Sequence, residues 1–317
     1  MSAYAIMTGA AVPEGADAVI EKEKVIVRDG RVRVMCPVTR GRNIRRRAEE
    51  LRRGSKLGVR GAVITPGLVG FLACVGLQRV PVHAQPRVGL IVTGDELADP
   101  GLGPLPSGRI YDSNTPMLIA ALRSSGILDP NVSSVKDDPE RLDQEVRRAL
   151  RCCDVVVLTG GVSVGDHDPV KRVLKSCGVK CDFWRVKQKP GKPVYFGWKG
   201  RKLVFGLPGN PASAHACYYQ YVYPCLRKLM GHRRTGLAEQ KLPLEHALRP
   251  DPDKTLILRA CLIRRSARSW CRVLRKQGSH MLSSMRRMEG FVVIDPGQKP
   301  LRAGSPVVFQ RLTEGDG

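Results

Sequence analysis

Residues 154–161 read DVVVLTGG, a run of four apolar residues followed by a threonine and two glycines. A strand exposed on one face alternates apolar with polar residues; a run without that alternation is buried on both faces, as in a parallel sheet. RVGLIVTGDEL (87–97) and LVFGLPGN (203–210) repeat the design, each an apolar run ending in a glycine turn. Helix signals separate them. Ser113, Asn114 and Pro116 announce a helix that Gly126 closes, and Asp138-Pro139 starts one reaching to about Arg151. Asp168-Pro169 starts another, ended by Gly178, and Asn210-Pro211 opens the last, to about Met230. Strands alternating with capped helices predict an α/β domain over residues 85–232, its central parallel sheet covered by helices on both faces.

Outward from this domain the pattern changes. Residues 1–84 read as the remnant of an N-terminal β and linker region. Lys24–Val27 and Val32–Met35 alternate around the turn Asp29-Gly30, which predicts a hairpin. Pro66 near the start and Gly76 past the end bracket a helix. Residues 233–317 hold short alternating runs (Thr255–Leu262, Trp270–Leu274, Phe291–Ile294, Val307–Gln310), which predict a small all-β domain.

The 317 residues include 53 Lys+Arg against 29 Asp+Glu, a net charge of +24 that favours anionic partners. The densest basic stretch, GRNIRRRAEELRRGSKLGVR (41–60), has no aromatic residue on which bases could stack, so small anionic molecules rather than nucleic acid are the expected partners. No apolar run reaches the ~20 residues that span a bilayer. The ten cysteines form no CxxC pair, and with no signal peptide they read as reduced residues of a cytoplasmic protein.

Ligands of open α/β sheets bind outside the carboxyl ends of the strands. Three stretches put polar residues there or nearby. Thr93-Gly94-Asp95-Glu96 delivers two carboxylates on a turn. Residues 159–168, TGGVSVGDHD, offer Gly160 and Gly161 for close backbone approach to an anion, the Ser163 hydroxyl, and Asp168 as helix cap or ligand. Lys189-Pro190-Gly191-Lys192-Pro193 holds two lysines on a stiff turn with no acidic neighbour in sequence, a candidate anion clamp. In the turn at 206–211, GLPGNP, Asn210 stands where it could cap the following helix.

Taken together, IMTGAAVPEGADAVI (6–20), RVGLIVTGDEL (87–97), GRIYDSNTPMLIAAL (108–122), VVVLTGGVSVGDHD (155–168), KPGKPVYFG (189–197), GLPGNPASA (206–214) and QGSHMLSSM (277–285) resemble the molybdopterin molybdenumtransferases, the family of bacterial MoeA proteins and the gephyrin E-domain. The resemblance runs through nearly the whole chain in order. It implies a reaction in which adenylylated molybdopterin is hydrolysed, AMP leaves, and molybdate joins the dithiolene sulfurs with help from Mg2+. By motif match, catalytic roles fall on Thr8, Glu96, Asp137 and Asp168, substrate binding on Gly160, Gly161, Ser163, Lys189 and Lys192, and metal binding on Glu96, Asp168 and Glu50. The resemblance also implies a homodimer and a pterin adenylyltransferase as partner.

The chain departs from the pattern in three places. Relatives carry a longer segment before the MTGA motif, with an aspartate-bearing stretch, so an N-terminally truncated chain with a poorly ordered first part and little molybdenum insertion is expected. Relatives have Gly-Glu-Asp after the NIRRR motif, where this chain has Ala48-Glu49-Glu50. Near the end it carries Arg286-Arg287-Met288-Glu289 in place of small residues. The alternative reading is a catalytically impaired family member acting as a binding or scaffold protein. A pterin adenylyltransferase is a third, disfavoured by the β regions flanking the α/β domain.

Overall fold

The computed structural model describes residues 2–58, 60–101, 103–161, 169–265 and 268–312. The chain divides into two compact units, Met1–Arg60 and Gly61–Gly317.

In the first unit, β1 (Val25–Arg28) and β2 (Arg31–Val34) form the expected antiparallel hairpin, with Val25 opposite Val34 and Arg28 opposite Arg31. Asp29 and Gly30 both have positive φ (49° and 70°), as a two-residue hairpin turn matched to strand twist requires.

The second unit opens with helix α1 (Pro66–Cys74), whose Thr65 hydroxyl accepts from the Leu68 amide. There follow β3 (Val88–Thr93), β4 (Leu97–Ala98), β5 (Ile110–Tyr111), α2 (Asn114–Ser124), β6 (Asn131–Val135), α3 (Pro139–Cys152), β7 (Val155–Thr159), α4 (Pro169–Ser176) and β8 (Lys180–Trp184). The chain continues through β9 (Gln188–Lys189), β10 (Tyr195–Lys199), β11 (Lys202–Leu207), α5 (Pro211–Cys217), a π-turn (Tyr218–Val222) and α6 (Tyr223–Leu229). The last elements are β12 (Ala238–Pro243), β13 (Thr255–Arg265), β14 (Arg268–Val273), β15 (Gly290–Ile294) and β16 (Pro306–Arg311).

The central sheet has six strands in the order β6-β3-β7-β11-β10-β8. The apolar runs behave as their composition demands. Leu90, Val92, Val155 and Val157 point to one face, packing with Leu118 and Leu122 of α2 and Tyr218 and Leu226 of the last helices. Their neighbours Ile91, Val156 and Leu158 point to the other, against Val146 of α3 and Leu174 of α4. The sheet is mixed where a parallel one was expected. β6, β3, β7 and β11 are mutually parallel, but β10 is antiparallel to both β11 and β8. The reason is local: only Gly200 and Arg201 separate β10 from β11, and so short a connection makes a hairpin, whereas a parallel crossover needs a dozen residues.

Helix starts follow their signals unevenly. Asp138 caps α3, accepting from the amides of Glu140 (2.9 Å) and Arg141 (3.3 Å). Asn210 occupies the cap position of α5 but makes no side-chain cap bond; its backbone carbonyl accepts from Ser213 and Ala214 instead. Ser113 likewise makes none, and the Asp112 carboxylate takes the Thr115 amide (3.0 Å) in its place.

The C-terminal sheet runs β12-β16-β15-β13-β14 around Leu242, Leu258, Val292 and Phe309. β9 joins it in parallel to β13, setting Lys189 opposite Leu256, so a strand from the α/β segment is woven into the all-β sheet. All ten cysteines are free thiols. Among the described residues no helix is long and apolar enough to cross a membrane.

Candidate active site at the carboxyl edge of the central sheet

Four parallel strands end together. Val135 of β6 pairs with Thr93 of β3, Val92 pairs with Thr159 of β7, and Thr159 pairs with Leu207 of β11. Each is followed at once by a turn, so one sheet edge gathers Gly94–Glu96, Lys136–Asp138, Gly160–Gly161 and Pro208–Asn210. From β3 the chain crosses on one face through α2, and after β7 on the other through α4, which makes the β3/β7 boundary the switch point of the sheet.

At that boundary the backbones come close. A Cβ placed on Gly160 (φ +85°) would stand 1.9 Å from the Thr93 carbonyl oxygen. One on Gly161 (φ +63°) would stand 2.9 Å from the Thr93 hydroxyl. Only glycine meets both the conformation and the space. Asn114, at the start of α2, ties the edge together: its amide donates to Thr159 Oγ1 (3.2 Å) and to the Gly209 carbonyl (2.7 Å). The Thr159 hydroxyl donates to the Pro208 carbonyl (3.1 Å). Thr93 Oγ1 and Asn114 Oδ1 are buried there with no partner among the described residues, which costs stability.

The acidic turns are linked. The Asp95 amide donates to Asp137 Oδ2 (3.4 Å) and the Asp137 amide to Asp95 Oδ1 (3.3 Å). Arg109 donates to the Asp95 carbonyl, and Glu96 folds back so that Oε2 lies 2.8 Å from where a Gly94 Cβ would stand. A cleft of about 570 Å³ opens beside them, lined among others by Asp95, Arg109, Lys136, Arg141 and Glu145. Among the described residues no group of three or more His, Cys, Asp or Glu side chains is close enough to hold a metal by itself.

Antiparallel β10 brings the lysine turn to the same edge. Its first residue, Tyr195, pairs with Gly206 near the end of β11, and Lys192 lies three residues earlier. Gly191 (φ +87°) presses on α5, where an added Cβ would meet Cys217 Sγ at 2.3 Å. The Gln188 amide donates to the carbonyls of Pro190 (3.0 Å) and Gly191 (3.3 Å), which holds the turn. Lys189 does have an acidic neighbour in space. Asp251 lies below the usual carboxylate range, chiefly because the amides of Asp253 and Lys254 donate to it (3.0 Å each), with the charges of Lys254 and Lys189 adding.

Glu96, Asp137, Gly160, Gly161 and Lys192 share one edge, and Lys189 sits in β9 nearby. Thr8 and Glu50 are exposed residues of the first unit. Ser163 and Asp168 lie outside the described residues. Asp95, one of the two carboxylates that the sequence places on this turn, lies there too. Arg259 in β13, only 2% exposed, gave no signal in the sequence. It donates to Ser284 Oγ (2.9 Å) and to the carbonyls of Lys276 (2.7 Å) and Gly278 (3.0 Å), while Nη1 is buried without a partner. Its charge helps burial hold His215 of α5 down to about 4. The same QGSHM loop accepts the Ala212 amide through the Ser279 carbonyl (3.2 Å), which fastens it to the start of α5.

Comparison with known proteins agrees with this architecture in order along the chain. Residues 1–76 match the MoeA N-terminal region (domain I and II), residues 89–228 a probable molybdopterin binding domain, and residues 241–312 the MoeA C-terminal region (domain IV). A molybdopterin molybdenumtransferase of Haemophilus influenzae is 34% identical over 318 residues, covering 98% of this chain and 77% of the relative. The chain belongs to the molybdopterin molybdenumtransferase family. Its role lies in molybdenum cofactor biosynthesis. A molybdopterin molybdenumtransferase of Staphylococcus aureus is 35% identical over 229 residues, with 54% of its length covered. The crystal structure of the Pyrococcus horikoshii MoeA protein superposes with a TM-score of 0.75 at 27% identity, covering 96% of this chain and 74% of that one.

Proposed function

We propose that this family member joins molybdate to the dithiolene of adenylylated molybdopterin and releases AMP. The observation that carries the reading is the meeting, on one sheet edge, of the glycine turn at Gly160-Gly161, the lysine turn at Lys192 and the carboxylates of Asp95, Glu96 and Asp137. Backbone amides of the glycine turn and the Lys192 ammonium suit the phosphate oxygens of an adenylylated pterin. Asp168 and Ser163 belong to the same turn by sequence, and Thr8 and Glu50 are carried as further contributors.

The carboxylates suit a hard divalent cation such as Mg2+, which takes oxygen ligands and is commonly held by one or two carboxylates together with substrate phosphates. The motif match assigns it to Glu96, Asp168 and Glu50. When bound, the cation neutralises charge developing on the phosphoryl oxygens. The protein's own part is placement: the reciprocal amide bonds of Asp95 and Asp137 orient two carboxylates, and Arg109 anchors their turn. Arg259, a buried cation with an N–H to spare, is a candidate to hold a small oxyanion such as molybdate.

The reading includes a homodimer. Helix α1 supports it: the helix is almost wholly apolar and none of its residues is buried, a surface a second copy could cover. It includes a pterin adenylyltransferase supplying the substrate, and a cytoplasmic site of action, where ten free thiols stay reduced. The scaffold alternative has no feature of its own in its favour.

The test is AMP release from adenylylated molybdopterin by the purified chain, with and without molybdate. Release should require molybdate and a divalent cation. Lys192→Ala should weaken substrate binding at least tenfold, about 1.4 kcal/mol. Glu96→Gln should lower cation-dependent turnover and leave AMP binding intact. Failure to release AMP with molybdate and a divalent cation both present overturns the proposal.

A further inference from the structure

At the opposite end of the sheet from the candidate site lies a pair of thiols that the roles above do not use. Cys152 is the last residue of α3 and Cys153 follows as its C-cap, just ahead of β7. The 5 residues of β7, about 16 Å of strand, separate the pair from the glycine turn. The two Sγ atoms are 3.5 Å apart. Their surroundings differ. Cys152 is half-buried, and its sulfur accepts from Asn131 Nδ2 (3.9 Å). The exposed Arg148 and Arg151 stand on the same helix end, so the approach to Cys152 is cationic. Cys153 is 2% exposed and belongs to the core that holds Val146 and Leu174. Its sulfur rests against β3, where a Cβ added to Gly89 would stand 3.2 Å away. Burial pushes the Cys153 thiol up to about 12, which makes it inert towards reagents in solution.

These differences divide the labour of a thiol–disulfide exchange. Cys152 can be reached from solution, whereas Cys153 can be reached only by a sulfur bound to its neighbour. At 3.5 Å that neighbour is an intramolecular partner, and proximity of this kind offsets weak ionisation. Closing the bond brings the sulfurs from 3.5 Å to about 2.0 Å. The backbone of Cys153 is held while this happens: its amide donates to the Ala149 carbonyl (2.8 Å) and its carbonyl accepts from Lys202 Nζ (2.7 Å). The Cys153 side chain must therefore turn away from Gly89. Neighbouring Cα atoms are about 3.8 Å apart, shorter than the roughly 4.4–6.8 Å usual across a disulfide, so the closed ring is strained. Strained disulfides are the readily reduced ones.

We propose that Cys152 and Cys153 form a reversible modification site for low-molecular-weight disulfides of the glutathione type, closing to a disulfide that draws the Cys153 side chain out of the core. The Cys152 thiolate attacks one sulfur of the reagent, which forms a mixed disulfide and expels one thiolate. Cys153 then gives up its proton and attacks Cys152 Sγ, expelling the second thiolate. Two cysteine thiols are oxidised, one reagent disulfide is reduced to two thiols, and both protons leave with them. Both cysteines are free thiols at rest and close when the oxidised reagent accumulates. The site is independent of the reaction proposed above, since it stands at the other end of the sheet.

The test is incubation of the full chain with oxidised glutathione, followed by iodoacetamide, trypsin and mass spectrometry. Cleavage after Arg151 and Lys171 gives one peptide, 152–171, that holds these two cysteines and no other. In the parent this peptide should lose two hydrogens and carry no glutathione, and reduced glutathione should restore it. Cys153→Ala should stop with glutathione on Cys152, and Cys152→Ser should leave Cys153 unmodified. The exposed Cys74 and Cys181 report access of the reagent. Oxidation should lower the melting temperature of the parent further than that of Cys152→Ser, because only the parent loses the Cys153 packing. A pair still reduced after Cys74 and Cys181 have taken glutathione, or glutathione retained on Cys152 of the parent, would overturn the proposal. So would a closed pair whose melting temperature falls no further than that of oxidised Cys152→Ser.

Discussion

Replacing Gly160 by alanine tests the central claim, that the site is built on a backbone approach only glycine allows. The added methyl would stand 1.9 Å from the Thr93 carbonyl oxygen, 2.9 Å from its carbon and 3.0 Å from the Thr93 hydroxyl. Non-bonded contacts of this kind do not fall below about 3 Å, so the two turns would have to part by roughly 1 Å. The Thr93 carbonyl cannot swing aside, because β3 is hydrogen-bonded on both sides, to β6 and β7. Forcing such overlap costs about 1–3 kcal/mol. The left-handed φ of +85° adds about 1–2 kcal/mol for a residue with a Cβ. The expected loss is therefore about 2–5 kcal/mol. Gly200→Ala is the control: its φ is +58° and nothing lies within 4 Å, so it should lose only the backbone share. Urea denaturation followed by the fluorescence of Trp184 and Trp198, both in the central sheet, reads both variants. AMP binding should fall in Gly160→Ala and persist in Gly200→Ala. If Gly160→Ala costs no more than Gly200→Ala, the close approach does not constrain the site and the reasoning fails.

Other consequences follow from single residues. Ala48 has φ +63° where the family motif has glycine, so Ala48→Gly should stabilise the first unit by about 0.5–1 kcal/mol, seen as a higher calorimetric transition; a lower one would contradict it. Asp138→Ala removes the cap of α3 and should cost about 1 kcal/mol in urea unfolding, with no effect on AMP binding. His215 is held down to about 4 by burial and by Arg259, below its ordinary 6.5, so the folded chain resists its protonation. Stability from this group is therefore complete above pH 6.5 and is lost as pH falls towards 4. Between pH 7 and pH 5 the loss should be about 2 kcal/mol, and His215→Phe should flatten that decline; an unchanged pH profile in the variant would refute the assignment.

Much of this molecule could be read from short stretches of chain. The apolar runs of β3, β7 and β11 announced themselves because a strand covered on both faces has no polar positions to interrupt it. Asp138-Pro139 marked a helix start because capping is chemistry between residues two or three apart. The glycine pair at 160–161 was legible for the same reason: its conformation is a property of its own backbone. Family membership followed from the order of such motifs.

What escaped the sequence depends on partners far away in it. β6 (NVSSV) and β8 (KCDFW) are edge strands, covered less completely, and so carry little apolar signal. β10 was visible as a motif, but its direction is decided by the hairpin with β11, and that direction is what delivers Lys192 to the edge where the parallel strands end. The reciprocal bonds of Asp95 and Asp137 join residues 42 apart, and Asp251 reaches Lys189 only because β9 leaves the α/β segment to pair with β13. Arg259 reads as one polar residue in an alternating run; only packing reveals that it is buried without a carboxylate partner among the described residues. Local sequence determines turns, caps and strand burial because those energies act between near neighbours. Which turns meet to make a site is decided by strand pairing across the whole chain, and tertiary structure alone supplies it.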